Sequence, residues 1–261
     1  MKKILLVVLS LSVVFILNAG AQQVSTATKD TITVVPSKVD MVIDAGDSYE
    51  NDYSITNNYG GPLTLEITLD NWYSYSGNKN FDVNDWVTIE PRSFKLQAGE
   101  TAVAHYKVQT STAMVGSIGA KVVFTARPPF QEMFKIRLTT FLYATMRGTE
   151  KIDFEITGAH FNQSGDFILG YISIKNKGNT HIRPVGTYVM RGPKLKYNGK
   201  ISKEVPVYPG TTRSDFELVV PSGLNLKPNN TYKFDLAIRV GNKVVKKTVK
   251  MSLNKDGTVA N

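Results

Sequence analysis

Three histidines, a few close carboxylates and a large set of lysines are the residues of this chain that could do chemistry. His105, His160 and His181 are 55 and 21 residues apart (160 − 105 and 181 − 160). None therefore has a second imidazole at the short spacing that places two metal ligands on one helix face, as in H-E-x-x-H. His105 stands between Ala104 and Tyr106 in an alternating stretch, where it reads as a face residue of a strand. Asp82 and Asp85 form a close pair of the kind glycoside hydrolysis uses. In an acidic loop with no second feature beside it, that pair carries no reaction. The chain has no G-x-S-x-G elbow, no phosphate-cradling glycine loop and no cysteine. The expectation is a protein that is not an enzyme, holds no metal and needs no cofactor.

Binding chemistry is better represented. Trp72, with Tyr73 and Tyr75 nearby, offers either a carbohydrate-stacking platform or core packing, and Trp86 opens the strand-like WVTIEP. Charge is divided unevenly. Residues 22–147 hold 11 Lys+Arg and 13 Asp+Glu (11 − 13 = −2), whereas residues 148–261 hold 18 and 9 (18 − 9 = +9). A half this basic is drawn to anionic surfaces, so an anionic envelope polymer is one candidate partner; a solvated basic face is the plainer reading. In KVVKKTVKMSL, Lys243, Lys247 and Lys250 fit a last strand whose lysines guard an exposed edge. No nucleic-acid motif is present, and nucleic acid is not an expected partner. Asn229-Asn230-Thr231 has the form of a glycosylation sequon and reads better as a turn.

The elements that must position these residues are strands. Apolar and polar residues alternate in Thr31–Val35, Leu63–Leu69 and Ala102–Val108, and no long window carries an apolar stripe at helical spacing. Turn signals punctuate the runs, among them Asn57-Asn58-Tyr59-Gly60-Gly61, Gln97-Ala98-Gly99, Lys177-Gly178-Asn179 and Pro209-Gly210. The pattern repeats. Ser54-Ile55-Thr56-Asn57 returns as Ser173-Ile174-Lys175-Asn176, 119 residues later (173 − 54), and Gly99 returns as Gly210 after 111 (210 − 99). The fold class expected is all-β, with two tandem immunoglobulin-like sandwiches over residues 22–147 and 148–261. The least strand-like point between them, Arg147-Gly148-Thr149, marks the boundary. A connector this short implies a bent pair with a cleft.

Residues 1–21 read as a signal peptide: Met1-Lys2-Lys3 is basic, Ile4–Leu17 is apolar, and Ala19-Gly20-Ala21 is a small-residue cleavage site. The apolar run is too short to span a bilayer, and no later segment is long and apolar enough. The expected location is the periplasm or the cell surface, with no transmembrane segment in the mature chain.

The order Pro36-Ser37-Lys38-Val39, Ala45-Gly46, Ser54–Asn58, Trp86–Pro91 and Leu96–Glu100, followed by VVFTARPPFQEMFKIRLTTFLYATMRG, resembles the N-terminal domain of the PapD-like periplasmic pilus chaperones. The second half is similar only in size and turn order. The resemblance implies a chaperone that lends a strand to an incomplete immunoglobulin-like subunit of a surface fibre. Phe134, Ile136 and Leu138 are then the candidate donor residues, with Lys135 and Arg137 on the opposite face. An equal alternative is that the same three side chains face the domain's own core. Family members also hold the subunit's terminal carboxylate with an Arg on the first strand and a Lys on the last strand of domain one. Here Lys38 matches the first, and Thr139 or Thr140 stands at the second; Arg137 is the nearest cation, so Lys38 and Arg137 are the candidate anchor. A lysine cannot reproduce the bidentate fork of arginine.

Overall fold

A computed structural model describes residues 32–74, 81–129, 135–164, 167–201 and 205–260. The predicted signal peptide, Tyr75 and Phe134 lie outside the described residues. In chain order the first nine strands are β1 (Ile32–Val35), β2 (Lys38–Ile43), β3 (Ser48–Asn57), β4 (Leu63–Ser74), β5 (Val87–Glu90), β6 (Ser93–Leu96), β7 (Thr101–Gln109), β8 (Ser117–Arg127) and β9 (Ile136–Met146). They form two facing sheets, β1-β3-β7-β5 and β2-β9-β8-β4-β6. The alternation seen in sequence decides which side chains lie between the sheets. In β7, Ala104, Tyr106 and Val108 are buried while His105 and Gln109 face water. Trp86 is buried in this core, and Tyr53 packs edge-on against Phe124 at 5.3 Å.

The first strand changes sheets. β1 pairs with β3 in one layer; after Pro36-Ser37 the chain re-enters as β2 and pairs in parallel with β9 in the other. Proline has no N–H to give a ladder, so the break falls where a sheet can release the strand. A single helical turn, α1 (Val83–Trp86), interrupts the β pattern. Asp82 and Asp85, the close carboxylate pair, cap it: Asp82 accepts from the Asn84 N–H, and the Asp82 N–H donates to Asp85 at 2.8 Å.

The second sandwich comprises β10 (Phe154–Ser164), β11 (Phe167–Asn176), β12 (Val185–Gly192), β13 (Leu195–Ile201), β14 (Thr212–Val220), β15 (Thr231–Val240) and β16 (Lys243–Ser252). Its sheets are β10-β11-β14 and β13-β12-β15-β16. Each sandwich encloses a separate apolar cluster. The fold is all-β with two immunoglobulin-like sandwiches, as the alternation predicts.

The repeated asparagine has the same task in both. Asn57 is fully buried; its amide donates to the carbonyls of Gly61, Leu96 and Gln97, and its side-chain oxygen accepts from the Tyr59 N–H. Asn176, also fully buried, donates to Thr180 and Val207 and accepts from Gly178. In each copy the glycine N–H donates to the asparagine carbonyl, Gly99 to Asn57 at 2.8 Å and Gly210 to Asn176 at 3.0 Å. Both glycines have positive φ, 77° and 76°. The sequence repeat is thus a repeated buried lock between two loops.

Lys243 and Lys247 sit at the edge strand β16, but their ammonium groups reach inward to the facing sheet. Lys243 Nζ donates to Asp153 at 2.7 Å, and Lys247 Nζ donates to the carbonyls of Ile156 and Thr157 at 2.7 and 3.0 Å. Lys250 is exposed on the opposite face.

Candidate functional site

β9 is paired along its whole length with β8, but β2 covers only its second half, from Phe141 to Met146. Over Ile136–Thr140 no strand among the described residues hydrogen-bonds to the other edge. That leaves a short row of backbone donors and acceptors open beside the point where β2 begins. The side chains follow the same gradient. On the core face, Thr140, Leu142, Ala144 and Met146 are fully buried, whereas Ile136 and Leu138 are half-buried at the margin of the core. Arg137 and Thr139 are exposed on the other face. Thr140 donates to the Tyr53 hydroxyl at 3.3 Å, and burial pushes the Tyr53 phenol up to about 12.

The outer face of the same sheet turns toward the second sandwich. Register sets Lys38, Phe141 and Lys121 in one row across β2, β9 and β8. Lys121 is the one residue of Ser117–Ala126 that is not buried, and its Nζ lies 4.0 Å from the Trp72 ring centre. Trp72 packs against Phe141 at 5.3 Å and edge-on to Tyr208 of the second domain at 5.5 Å. Tyr73 lies 4.5 Å from Tyr208, and Tyr143 stacks on His181 at 4.8 Å. Trp72 is therefore an interdomain residue, outside both cores.

His181 fastens this contact. Its side chain is only 8% exposed. Nδ1 is 2.8 Å from the Tyr73 hydroxyl, and Nε2 is 3.3 Å from an Asp40 oxygen. An ionised carboxylate only accepts, so Nε2 carries the proton on that side. Ser117 Oγ accepts from both the Tyr73 hydroxyl (3.0 Å) and the His181 backbone N–H (2.8 Å). Arg183 reaches the same Asp40 at 3.4 Å and lies over Tyr143. Burial alone would raise the Asp40 carboxyl; the hydrogen bond and charge of His181, with Arg183 and Lys38, bring it below its ordinary value. Burial raises the Tyr73 and Tyr143 phenols, keeping both protonated.

Beside this cluster the connector is clamped. The Ser117 N–H donates to the Asn179 carbonyl at 2.9 Å, and the Asn179 side chain bonds Thr149 and Lys151. Gly116, at φ 64°, passes so close that an added Cβ would stand 2.1 Å from the Asn179 carbonyl oxygen.

Of the residues singled out in sequence, Ile136 and Leu138 lie on the open edge. Lys38 and Arg137 are not brought together: Arg137 is four residues along β9 from Phe141, the neighbour of Lys38, a distance of about 13 Å at strand rise. Lys121 is nearer, two strand spacings or about 10 Å from Lys38. Its signal in sequence is a lone charge inside the apolar run SIGAKVVFTA. The contacts of His181 and Asp40 have none, since 141 residues separate them.

Two sandwiches joined by the Tyr73–His181–Asp40 contact and the Ser117–Asn179 clamp, with the outer edge of Ile136–Thr140 unpaired among the described residues, define a two-domain immunoglobulin-like β-protein. No protein-family model and no curated protein matches the sequence. Solved structures similar to it include many two-domain chaperones of pilus biogenesis. The class 5 fimbriae chaperone CfaA is 13% identical, with 84% of this chain and 97% of that chain covered at a TM-score of 0.45. The E. coli chaperone DraB is 11% identical, with 84% and 98% covered at 0.40. A chain of the CsuC–CsuE chaperone–tip adhesion subunit complex of Acinetobacter baumannii is 12% identical, with 84% and 97% covered at 0.43. Likeness at this level carries no function from those proteins to this chain. Among the described residues no helix is long and apolar enough to cross a membrane.

Proposed function

We propose that this chain is an exported chaperone-type protein that pairs the open edge of β9 with a strand of a β-rich surface-fibre subunit. The observation that carries the reading is the half-covered strand: among the described residues Ile136–Thr140 has no outer strand partner, and Ile136 and Leu138 are half-buried beside that gap. An incoming strand gains backbone hydrogen bonds from this edge, and its alternate side chains cover Ile136 and Leu138. Phe134 extends the same alternation in sequence. Lys38, at the start of β2, is the cation placed to meet an anionic group at the end of the partner strand. Lys121 shares its row, and Arg137 stands apart.

The test compares the mature wild-type chain with Ile136→Asp/Leu138→Asp in capture from a periplasmic extract of the source cell. Recovery of a small β-rich subunit by wild type alone is the expected result. Equal recovery by both proteins removes the edge from the function.

A further inference from the structure

The outer face of the sheet β13-β12-β15-β16 concentrates the positive charge of the second domain. Register aligns Lys196, Arg191, Lys233 and Lys250 in one straight row, one cation on each of the four strands. All four are exposed. Lys200 and Lys246 end a second row on the same face, and Arg239 is exposed beside it. Against these seven cations the described residues of the face present one carboxylate, Asp235, which is held by Arg191 and by the Thr248 hydroxyl. Among the described residues no carboxylate pairs with Lys196, Lys233 or Lys250.

Like charges directly opposite one another weaken a sheet, so this row works against the stability of the fold that carries it. Edge protection does not account for it. Lys243 and Lys247 of β16 are committed to Asp153 and to β10 carbonyls on the other side of the sheet, whereas the row runs through the interior strands β12 and β15 as well. Its geometry is periodic, with one cation every ~4.8 Å, the spacing between strands. Near its far side a groove of about 410 Å³ is lined by Lys200, Arg239, Thr187 and Ala237.

We infer that this face binds a linear acidic polysaccharide with one carboxylate per sugar, laid across the four strands along the row Lys196–Arg191–Lys233–Lys250. In such a chain with alternate sugars facing the same way, alternate carboxylates repeat at about two strand spacings, the separation of Lys196 and Lys233 across Arg191, which Asp235 already holds. A bilayer surface fits less well. Peripheral membrane faces add apolar side chains that enter the lipid, and the one large exposed hydrophobic on this face is Val244, 49% exposed at its edge. This inference is independent of strand pairing at β9, which lies in the other domain.

The experiment titrates the mature chain with polyuronate oligomers, neutral dextran and anionic phosphatidylglycerol vesicles, at low salt and at 0.5 M salt. The expected result is polyuronate binding that is lost at high salt and exceeds binding to dextran or vesicles. Lys196→Glu/Lys233→Glu should weaken it by about 30-fold or more. Lys95→Glu/Lys227→Glu, with the same change in net charge placed elsewhere, should weaken it far less. Circular dichroism and melting verify that each variant folds, and the milder Lys196→Gln/Lys233→Gln replaces the first if it does not. The inference is overturned by polyuronate binding no tighter than dextran, by equal losses in the two charge variants, or by tighter retention on vesicles.

Discussion

Replacing Asn176 with alanine should unseat the second sandwich and leave the first intact. The Asn176 side chain is wholly buried and makes three hydrogen bonds, to the carbonyls of Thr180 and Val207 and from the N–H of Gly178, at 2.8–2.9 Å. Each is worth about 1 kcal/mol net, and more where a buried carbonyl is left without a donor, so the loss is about 3 kcal/mol. For a domain near 100 residues that lowers the midpoint by about 12 °C. Both tryptophans belong to the first domain. Trp72 also senses the second domain through Tyr208, so fluorescence is followed in a Trp72→Phe background, where Trp86, buried in the first core, reports that domain alone, while calorimetry and circular dichroism follow both. Asn176→Ala should move one calorimetric transition and leave the fluorescence transition nearly in place. Asn57→Ala, which removes four such bonds, should do the reverse. Asn58→Ala removes only an exposed bond to Thr33 and should cost about 0.5 kcal/mol or less. The reasoning is refuted if Asn176→Ala lowers its transition by less than about 3 °C, or if Asn58→Ala costs as much.

The interdomain contact carries two further expectations. The Asp40 carboxyl is depressed in the folded protein, so its contribution is present above the unfolded value of about 4 and is lost as pH falls through the folded value. Acidification below pH 4 should change the fluorescence of Trp72, which packs on Tyr208. Asp40→Asn should show a flatter acid dependence, and identical acid curves would exclude Asp40 as the group responsible. Gly116→Ala places a Cβ 2.1 Å from the Asn179 carbonyl oxygen and forces a side chain into left-handed backbone. That conformation alone costs about 1–2 kcal/mol. X-ray scattering should report a more open domain pair and melting a lower midpoint; no change in either contradicts the clamp.

The layers were legible because a buried strand face leaves an alternating trace, as in Ala104, Tyr106 and Val108. The repeat was legible because Asn57 and Asn176 each need the same glycine at the same loop, but its task as a buried lock shows only once the loops are brought together. Pairing between distant strands leaves no such trace. The offset that sets Lys38 beside Phe141, rather than beside Arg137, arises from where β2 enters the second sheet, and no local pattern records it. Trp72 illustrates the same limit: its strand is readable, but packing against Tyr208 depends on the angle between domains. The Asp82–Asp85 pair was visible as residues, yet its capping of α1 depends on a turn too short to show helical periodicity. The basic half was plain from composition. Its concentration on one sheet face follows from the registers of β12, β13, β15 and β16.

The central claim is that Ile136–Thr140 of β9 is an edge that a partner strand completes, and amide hydrogen exchange tests it most directly. Exchange is measured residue by residue on the mature chain, alone and with the subunit it captures. The account predicts fast exchange at alternate amides of Ile136–Thr140 in the free protein, strong slowing of those amides in the complex, and little change along Phe141–Met146, which β2 already pairs. Protection confined to the second domain, with Ile136–Thr140 unchanged, would contradict it.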